Sequence, residues 1–98
     1  MAAYILVDAR ISDQAQYERY RADAPAVIAK YGGRYLVRGG ATTVLEGDWQ
    51  PHRVVVLEFP TVDAARRFYD SPEYRALRTI RQDAVSMSIF VVEGVPES

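Results

Sequence analysis

The chain of 98 residues is long enough for one domain with a single core. Its formal net charge is −1, so no overall field attracts nucleic acid or an anionic membrane, and we predict neither partner. It contains no cysteine, which excludes disulfide bonds and thiolate sites and fits a reducing compartment. The first residues, MAAYILVDAR, lack the features of a secretory signal, and we expect a cytoplasmic location.

The first predicted elements are a strand over residues 4–11 and a helical segment after it. Asp13 and Gln16 have the spacing of a capping box, which predicts the start of the helix. Pro25 lies inside the segment and predicts a kink, or two short helices that meet near Ala24. Gly32 or Gly33 is expected to end it. The apolar stripe of this segment comprises Tyr17, Tyr20, Ala24, Val27, Ile28 and Tyr31.

Residues 32–60 predict a long β-hairpin. Its first strand covers residues 34–38 and is expected to continue over residues 41–46, with the turn at residues 46–51. Gly39-Gly40 predicts a bulge between these parts, or a place where another group approaches the backbone. The second strand, residues 53–59, is apolar on both faces at its centre, which is typical of a central strand.

The last part of the chain predicts further helix and then a strand. Thr61 is a good N-cap after Pro60, and Ser71-Pro72-Glu73 predicts a second helix start. The last strand is expected over residues 87–94, with a loose tail over residues 96–98.

The resulting order, βαββαβ, predicts an α+β ferredoxin-like fold in which one domain spans residues 1–98. A four-stranded antiparallel sheet would carry the helices on one face. The central strands are also apolar on the other face, and the chain has no further element to cover it. A second copy of the sheet is the simplest cover, so we expect a homodimer that forms an α/β barrel.

Three sequence runs carry a resemblance to a known family: GGRYLVRGG, LEGDWQPHRVVVLEFP and FYDSPEYRALR. The chain resembles a small bacterial family labelled as a domain of unknown function, within the dimeric α/β-barrel superfamily. The resemblance extends from Tyr4 to Val95 and implies the dimeric barrel fold. Related members of the superfamily include cofactor-free monooxygenases, muconolactone isomerase and haem-containing chlorite dismutases, so it does not imply one reaction.

Charged residues inside apolar strands are the candidate catalytic groups. Glu58 and Asp8 lie on adjacent strands that we expect to be parallel, which would bring both carboxylates to one end of the sheet. Arg38 is expected level with Glu58, where the two would form a buried ion pair. Alternatively, Arg38 binds an anionic or carbonyl group of a ligand, and Glu58 acts as a base or orients the ligand.

Other residues are candidates for contact with a ligand. Trp49 would close a pocket or anchor the dimer, and Arg81 lies on the apolar stripe of the last helix. Tyr69, Ser71 and Tyr74 surround the break between the last helices, where Ser71 could equally be only the helix cap. His52, the single histidine, lies at a turn and is expected to be a surface residue, so we predict no metal site and no haem or other cofactor.

Two hypotheses follow from the sequence. In the first, the protein binds a small organic molecule between sheet and helices and could catalyse its cofactor-independent oxidation or isomerisation. In the second, it is a non-catalytic dimeric module whose buried polar residues only set strand register and the dimer interface.

Overall fold

The computed structural model describes residues 1–96, so the predicted tail beyond Pro96 lies outside the described residues. The chain forms seven elements in the predicted order, with the second helical segment divided at Ser71 as its sequence indicated. They are β1 (Ala3–Ile11), α1 (Gln14–Lys30), β2 (Arg34–Arg38), β3 (Arg53–Phe59), α2 (Val62–Asp70), α3 (Pro72–Arg81) and β4 (Val85–Glu93).

The strands form one sheet of four in the order β2-β3-β1-β4, and every neighbouring pair is antiparallel. The predicted α+β ferredoxin-like architecture is therefore confirmed. Our assumption that β1 and β3 are parallel was wrong, since Tyr4 pairs with Glu58 while Asp8 pairs with Val54. The crossover through α1 makes β2 parallel to β1, and the hairpin then reverses the chain, so β3 must oppose β1.

The core lies between the sheet and the helices. Alternate residues of β1 and β3 face the helices, because successive side chains of a strand point to opposite faces. Phe59 is fully buried and packs on Phe68 of α2, with ring centroids 5.3 Å apart. The buried residues of this layer include Ile5, Val7, Ala9, Tyr17, Ala24, Ile28, Val55, Leu57, Phe59, Phe68, Tyr74 and Leu77.

Helix α1 begins and ends where the sequence indicated. Asp13 is the N-cap, and its side chain accepts a hydrogen bond from the Gln16 backbone N–H at 3.1 Å. Gly32, with φ +84°, ends the helix and donates to the Ala29 carbonyl. The prediction of two helices meeting near Ala24 is wrong, because α1 continues unbroken through Pro25.

The hairpin is shorter than predicted, since residues 41–46 form no strand. The β2–β3 ladder ends where the Gly39 N–H donates to the Val54 carbonyl at 2.7 Å. A longer ladder would have to pair with residues 47–52, but Pro51 has no N–H and the His52 N–H is bound to Asp8. Residues 39–52 therefore form a long connecting loop, which we call the β2–β3 loop.

No helix of residues 1–96 lies on the second face of the sheet, which we call the open face. Tyr4, Leu6 and Asp8 of β1 point to it, because the alternate residues Ile5 and Val7 point into the core. On β4, Phe90 lies opposite Leu6 and is 54% exposed. The apolar character predicted for this face is present. Across residues 1–96, none of the helices is long and apolar enough to cross a membrane.

Glu73 connects the end of α1 with the start of α3. It pairs with Lys30 and accepts a hydrogen bond from the Tyr31 hydroxyl at 2.9 Å. Its hydrogen bond with Lys30, a backbone hydrogen bond and the Tyr31 hydroxyl lower the pKa of Glu73 from 4.5 to about 2. A carboxylate with a lowered pKa stabilises the fold at pH values where it is ionised.

We expect Glu73→Gln to remove a pH-dependent part of the stability. The contribution of Glu73 is present above pH 4.5 and is lost as the pH falls towards about 2. The thermal midpoint of the wild type should therefore fall more steeply over this range than that of Glu73→Gln. Asp23→Asn is the control, since Asp23 is exposed and forms no ion pair with any residue of the described chain. Equal slopes for wild type and Glu73→Gln would contradict the assigned role.

Candidate functional site

A cavity of about 40 Å³ lies between the sheet and helices α1, α2 and α3. Apolar residues of β1, β3 and β4 form its floor. Its polar groups are tyrosine hydroxyls and arginine guanidinium groups. The ionisable residues that line it are Tyr17, Tyr20, Arg21, Tyr35, Arg38, Arg53, Tyr69 and Tyr74.

Arg53 brings a charge to the helix side of the sheet. It is the first residue of β3 and shares a face with Val55 and Leu57, which lie in the core. Its Nε donates to the hydroxyl of Tyr17 at 3.2 Å. Arg53 was not among the site residues predicted from the sequence. The strand alternation contained the signal, since it places Arg53 in line with buried apolar residues.

Gly39 provides the space that Arg53 needs. A Cβ atom at Gly39 would clash with the guanidinium of Arg53, and φ of Gly39 is +71°, a conformation that favours glycine. The prediction that a group approaches the backbone at Gly39-Gly40 is thus confirmed, and the group is a side chain of the protein itself. Gly40 has nothing within 4 Å of a Cβ atom, so only the first glycine is required.

Arg38 reaches the cavity because of a β-bulge. Tyr35 pairs with Leu57, but Val37 pairs with Val56 and Arg38 with Val55, so β2 contains one extra residue at Leu36. A regular strand would put Arg38 on the open face, together with Glu58. The bulge moves it to the helix side, where Val55 is buried.

Pro25 leaves the carbonyl oxygen of Arg21 available as an acceptor for Arg38. Proline has no N–H, so the carbonyl of Arg21, four residues earlier, has no helical donor. Arg38 Nη2 makes a long hydrogen bond of 3.5 Å to this carbonyl oxygen. The guanidinium also lies 4.5 Å from the centre of the Tyr35 ring. Within residues 1–96, no carboxylate forms an ion pair with Arg38 or Arg53.

Two tyrosines of the cavity, Tyr20 and Tyr35, have pKa values raised above the ordinary value of a phenol. Tyr20 and Tyr74 share a hydrogen bond of 2.8 Å between their hydroxyl groups. Burial is the main cause that raises the pKa of Tyr20, and Tyr74 raises it further. Burial likewise raises the pKa of Tyr35. These phenols can therefore donate hydrogen bonds to a ligand but are poor bases.

The predicted pairing of Glu58 with Arg38 is wrong. Glu58 lies opposite Arg34 on β2 and accepts a hydrogen bond from Arg34 Nε at 2.7 Å. The Arg34 side chain is 69% exposed and that of Glu58 24%, so this pair lies at the surface rather than in the core. Glu58 does not line the cavity, because it points to the open face.

Asp8 was expected beside Glu58, and this prediction is also wrong. The antiparallel register places the two carboxylates at opposite ends of the strand pair. Asp8 instead accepts hydrogen bonds from Trp49 Nε1 at 3.2 Å and from the His52 backbone N–H at 2.8 Å. It thereby ties the β2–β3 loop to the open face. Trp49 is 67% exposed and lies outside the cavity.

The other predicted ligand contacts divide into two groups. Tyr69 and Tyr74 line the cavity. Ser71 does not, because its hydroxyl donates to the Phe68 carbonyl at 2.7 Å and accepts from the Tyr74 N–H at 3.1 Å as the cap of α3. Arg81 lies with its guanidinium 5.4 Å from the centre of the Tyr20 ring, outside the cavity lining. In residues 1–96, no group of three or more histidines or carboxylates could hold a metal ion.

These features define a ferredoxin-like α+β protein with an arginine- and tyrosine-lined cavity on the helix side of its sheet. The chain belongs to the family described as a domain of unknown function, DUF1330, whose model matches residues 2–95. A search of curated proteins finds no match.

Several solved structures have a similar fold. A protein of unknown function from Rhodopseudomonas palustris is 22% identical, covers 98% of this chain and 84% of its own, and has a TM-score of 0.75. SnoaB from Streptomyces nogalater, a cofactor-independent oxygenase, is 15% identical over 98% of this chain and 95% of its own, with a TM-score of 0.66. A dimeric ferredoxin-like protein of unknown function from Thermobifida fusca is 17% identical over 94% of this chain and 90% of its own, with a TM-score of 0.56.

We expect Gly39→Ala to disturb the site and Gly40→Ala to leave it unchanged. The first substitution forces alanine into a positive-φ conformation and against Arg53. It should lower the free energy of unfolding by about 1–3 kcal/mol, a typical cost of such strain. Chemical denaturation measures this difference, and the NMR signal of the Tyr17 ring should report the movement of Arg53. A Gly39→Ala variant as stable as Gly40→Ala would show that the close approach is not required.

Proposed function

We propose that this protein is a homodimeric binding protein for a small organic molecule that carries an anionic or carbonyl oxygen. The ligand would lie in the cavity between sheet and helices. The observation that carries this proposal is the presence of Arg38 and Arg53 at the cavity without an ion-pair partner in the described chain. A guanidinium that has only weak acceptors retains N–H groups for an oxygen of a ligand.

The tyrosines indicate the chemical character of the rest of the ligand. Tyr17 and Tyr74 are buried, and their rings with the aliphatic floor favour an aromatic or apolar body. Tyr20 and Tyr35 have raised pKa values and act as neutral donors. The site is therefore suited to a compact molecule with an apolar part and an oxygen that accepts hydrogen bonds.

The cavity must enlarge to admit such a molecule. A volume of about 40 Å³ holds only a few water molecules. Arg38 is the side chain that can move at least cost, because it is exposed and makes a single long hydrogen bond to Arg21. In the proposed complex, Arg38 leaves the Arg21 carbonyl and contacts the ligand instead.

The same groups limit the chemistry that the site could catalyse. Arg38, Arg53 and the tyrosines can stabilise an enolate or another oxyanion. Glu58, our candidate base, points away from the cavity, so we no longer assign it proton abstraction. Cofactor-independent oxidation or isomerisation would need a substrate that ionises readily by itself. The fold that this chain shares with the oxygenase SnoaB is compatible with such a reaction.

The proposed dimer uses the open face. Leu6 and Phe90 form an adjacent apolar pair on it. The β2–β3 loop adds Trp49, which is 67% exposed and which Asp8 holds above this face. Side chains of this kind are stabilised when a partner removes them from water. The fold is also that of a solved protein described as a dimer.

The non-catalytic hypothesis has specific support of its own. Asp8 holds the β2–β3 loop, and Glu58 pairs with Arg34 across two strands. Both carboxylates thus have structural roles, as that hypothesis requires. It differs from our proposal only in the cavity, where it assigns no ligand to Arg38 and Arg53.

We expect the protein purified from cells that produce it naturally to retain a small molecule, and Arg53→Gln to retain less than a tenth as much. Loss of the fixed guanidinium removes a charged donor to the ligand oxygen. Native mass spectrometry measures the bound fraction. Arg19→Gln is the matched control, since Arg19 is exposed on α1 and does not line the cavity. An empty wild-type protein would favour the non-catalytic module.

We expect Phe90→Glu to weaken the dimer at least tenfold. The added carboxylate would be desolvated at the proposed interface. Sedimentation velocity at micromolar concentration measures the change. Ala76→Glu adds the same charge on the exposed side of α3 and should leave dimerisation unchanged. A monomeric wild type, or equal dimerisation of both variants, would contradict the proposed interface.

A further inference from the structure

We infer that a basin beside helix α3 is a second binding site, which takes the carboxylate or phosphate group of a small molecule. The basin has a volume of about 550 Å³ and lies between α3 and the edge strand β4. Its lining comprises Tyr69, Arg75, Arg78, Thr79, Arg81, Gln82, Met87 and Ile89.

Helical spacing brings three positive charges to this basin. Arg75, Arg78 and Arg81 follow each other at intervals of three residues and therefore lie on one side of α3. None of them forms an ion pair with a carboxylate of residues 1–96. Three neighbouring guanidinium groups repel each other, and an anion between them would relieve this repulsion.

The burial of Arg81 points to a missing partner. Arg78 and Arg81 are both half-buried. The Nε atom of Arg81 is buried and has no hydrogen-bond partner within the described chain. An unsatisfied buried donor on a charged group is costly, so such groups are almost always paired. Arg81 lines the basin, so a shift of its side chain towards a bound oxyanion would give Nε its acceptor.

The orientation of the arginines leaves their donors available. The guanidinium carbon of Arg78 lies 4.3 Å from the centre of the Tyr69 ring, and that of Arg81 lies 5.9 Å from the Tyr74 ring. These contacts hold the side chains through attraction to the aromatic rings. They do not consume N–H groups, which remain free to bind a carboxylate or phosphate in the paired geometry that arginine favours.

Attraction to the carbonyl end of α3 is a simpler explanation for part of this arrangement. Arg78 and Arg81 lie in the last turn, where cations interact favourably with the helix dipole. Attraction to the helix dipole does not require Arg78 and Arg81 to be half-buried, and it does not account for the Arg81 Nε atom that has no acceptor. It also leaves Arg75, in the middle of the helix, unexplained.

The basin is distinct from the cavity, although Tyr69, Met87 and Ile89 line both. Arg38 and Arg53 do not line the basin. The inference therefore does not rest on the proposed function of the cavity.

NMR titration of the full chain with inorganic phosphate and, separately, with acetate tests this site. Ionic strength is kept constant, and the Nε–Hε signals of Arg78 and Arg81 are followed. We expect saturable shifts of both signals with at least one anion, and the tighter anion identifies the group that the basin prefers. Arg78→Gln should weaken binding at least tenfold. Arg78→Lys retains the charge without the planar donor pair and should give a smaller loss.

Arg19→Gln, which changes an exposed arginine on α1, should alter the affinity by less than twofold. Because Arg81 has a buried Nε atom, the thermal midpoint of Arg81→Gln is measured as a control for folding, and the conclusion is drawn from the two variants at Arg78. Shifts that grow linearly with both anions up to the highest concentration would overturn the inference. Equal affinity of the wild type and Arg78→Gln would also overturn it.

Discussion

The antiparallel pairing of β1 with β3 is the constraint on which the rest of the structure depends. It sets Ile5 and Val7 beside Leu57 and Val55, and burial of these side chains against the helices supplies the core. The same register carries Asp8 and Glu58 to opposite ends of the strand pair. The two carboxylates therefore cannot act together on one ligand. Both also point to the open face, so the polar chemistry of the helix side depends on arginine and tyrosine.

Charge is divided between the two faces of the sheet. Asp8 and Glu58 point to the open face, where the first holds the β2–β3 loop and the second pairs with Arg34. Arg38 and Arg53 lie on the helix side. No carboxylate of the described chain forms an ion pair with either guanidinium, so both keep N–H groups for an acceptor oxygen. This separation favours the binding of an anionic or carbonyl-bearing ligand over proton abstraction by the protein.

Two local irregularities shape the cavity, and each has a direct chemical cause. Pro25 leaves the Arg21 carbonyl without its helical donor, and the bulge at Leu36 turns Arg38 towards that carbonyl. The resulting contact is long and weak, so it positions Arg38 while leaving it able to exchange this acceptor for a ligand. Irregularities of a helix and a strand thus meet at one guanidinium group.

The sequence alone predicts the order of the elements, because strand alternation, Asp13, Thr61 and Ser71 are local signals that do not depend on distant contacts. It also indicated the apolar open face and the close approach at Gly39. Which charged residues meet depends instead on the tertiary structure. A single extra residue in β2 reverses the face of Arg38, and the register that sets it arises from pairing between strands separated by a loop. The local sequence does not encode that register. The pairing of Glu58 with Arg34 and the position of Arg53 at the cavity therefore became apparent only in the folded chain.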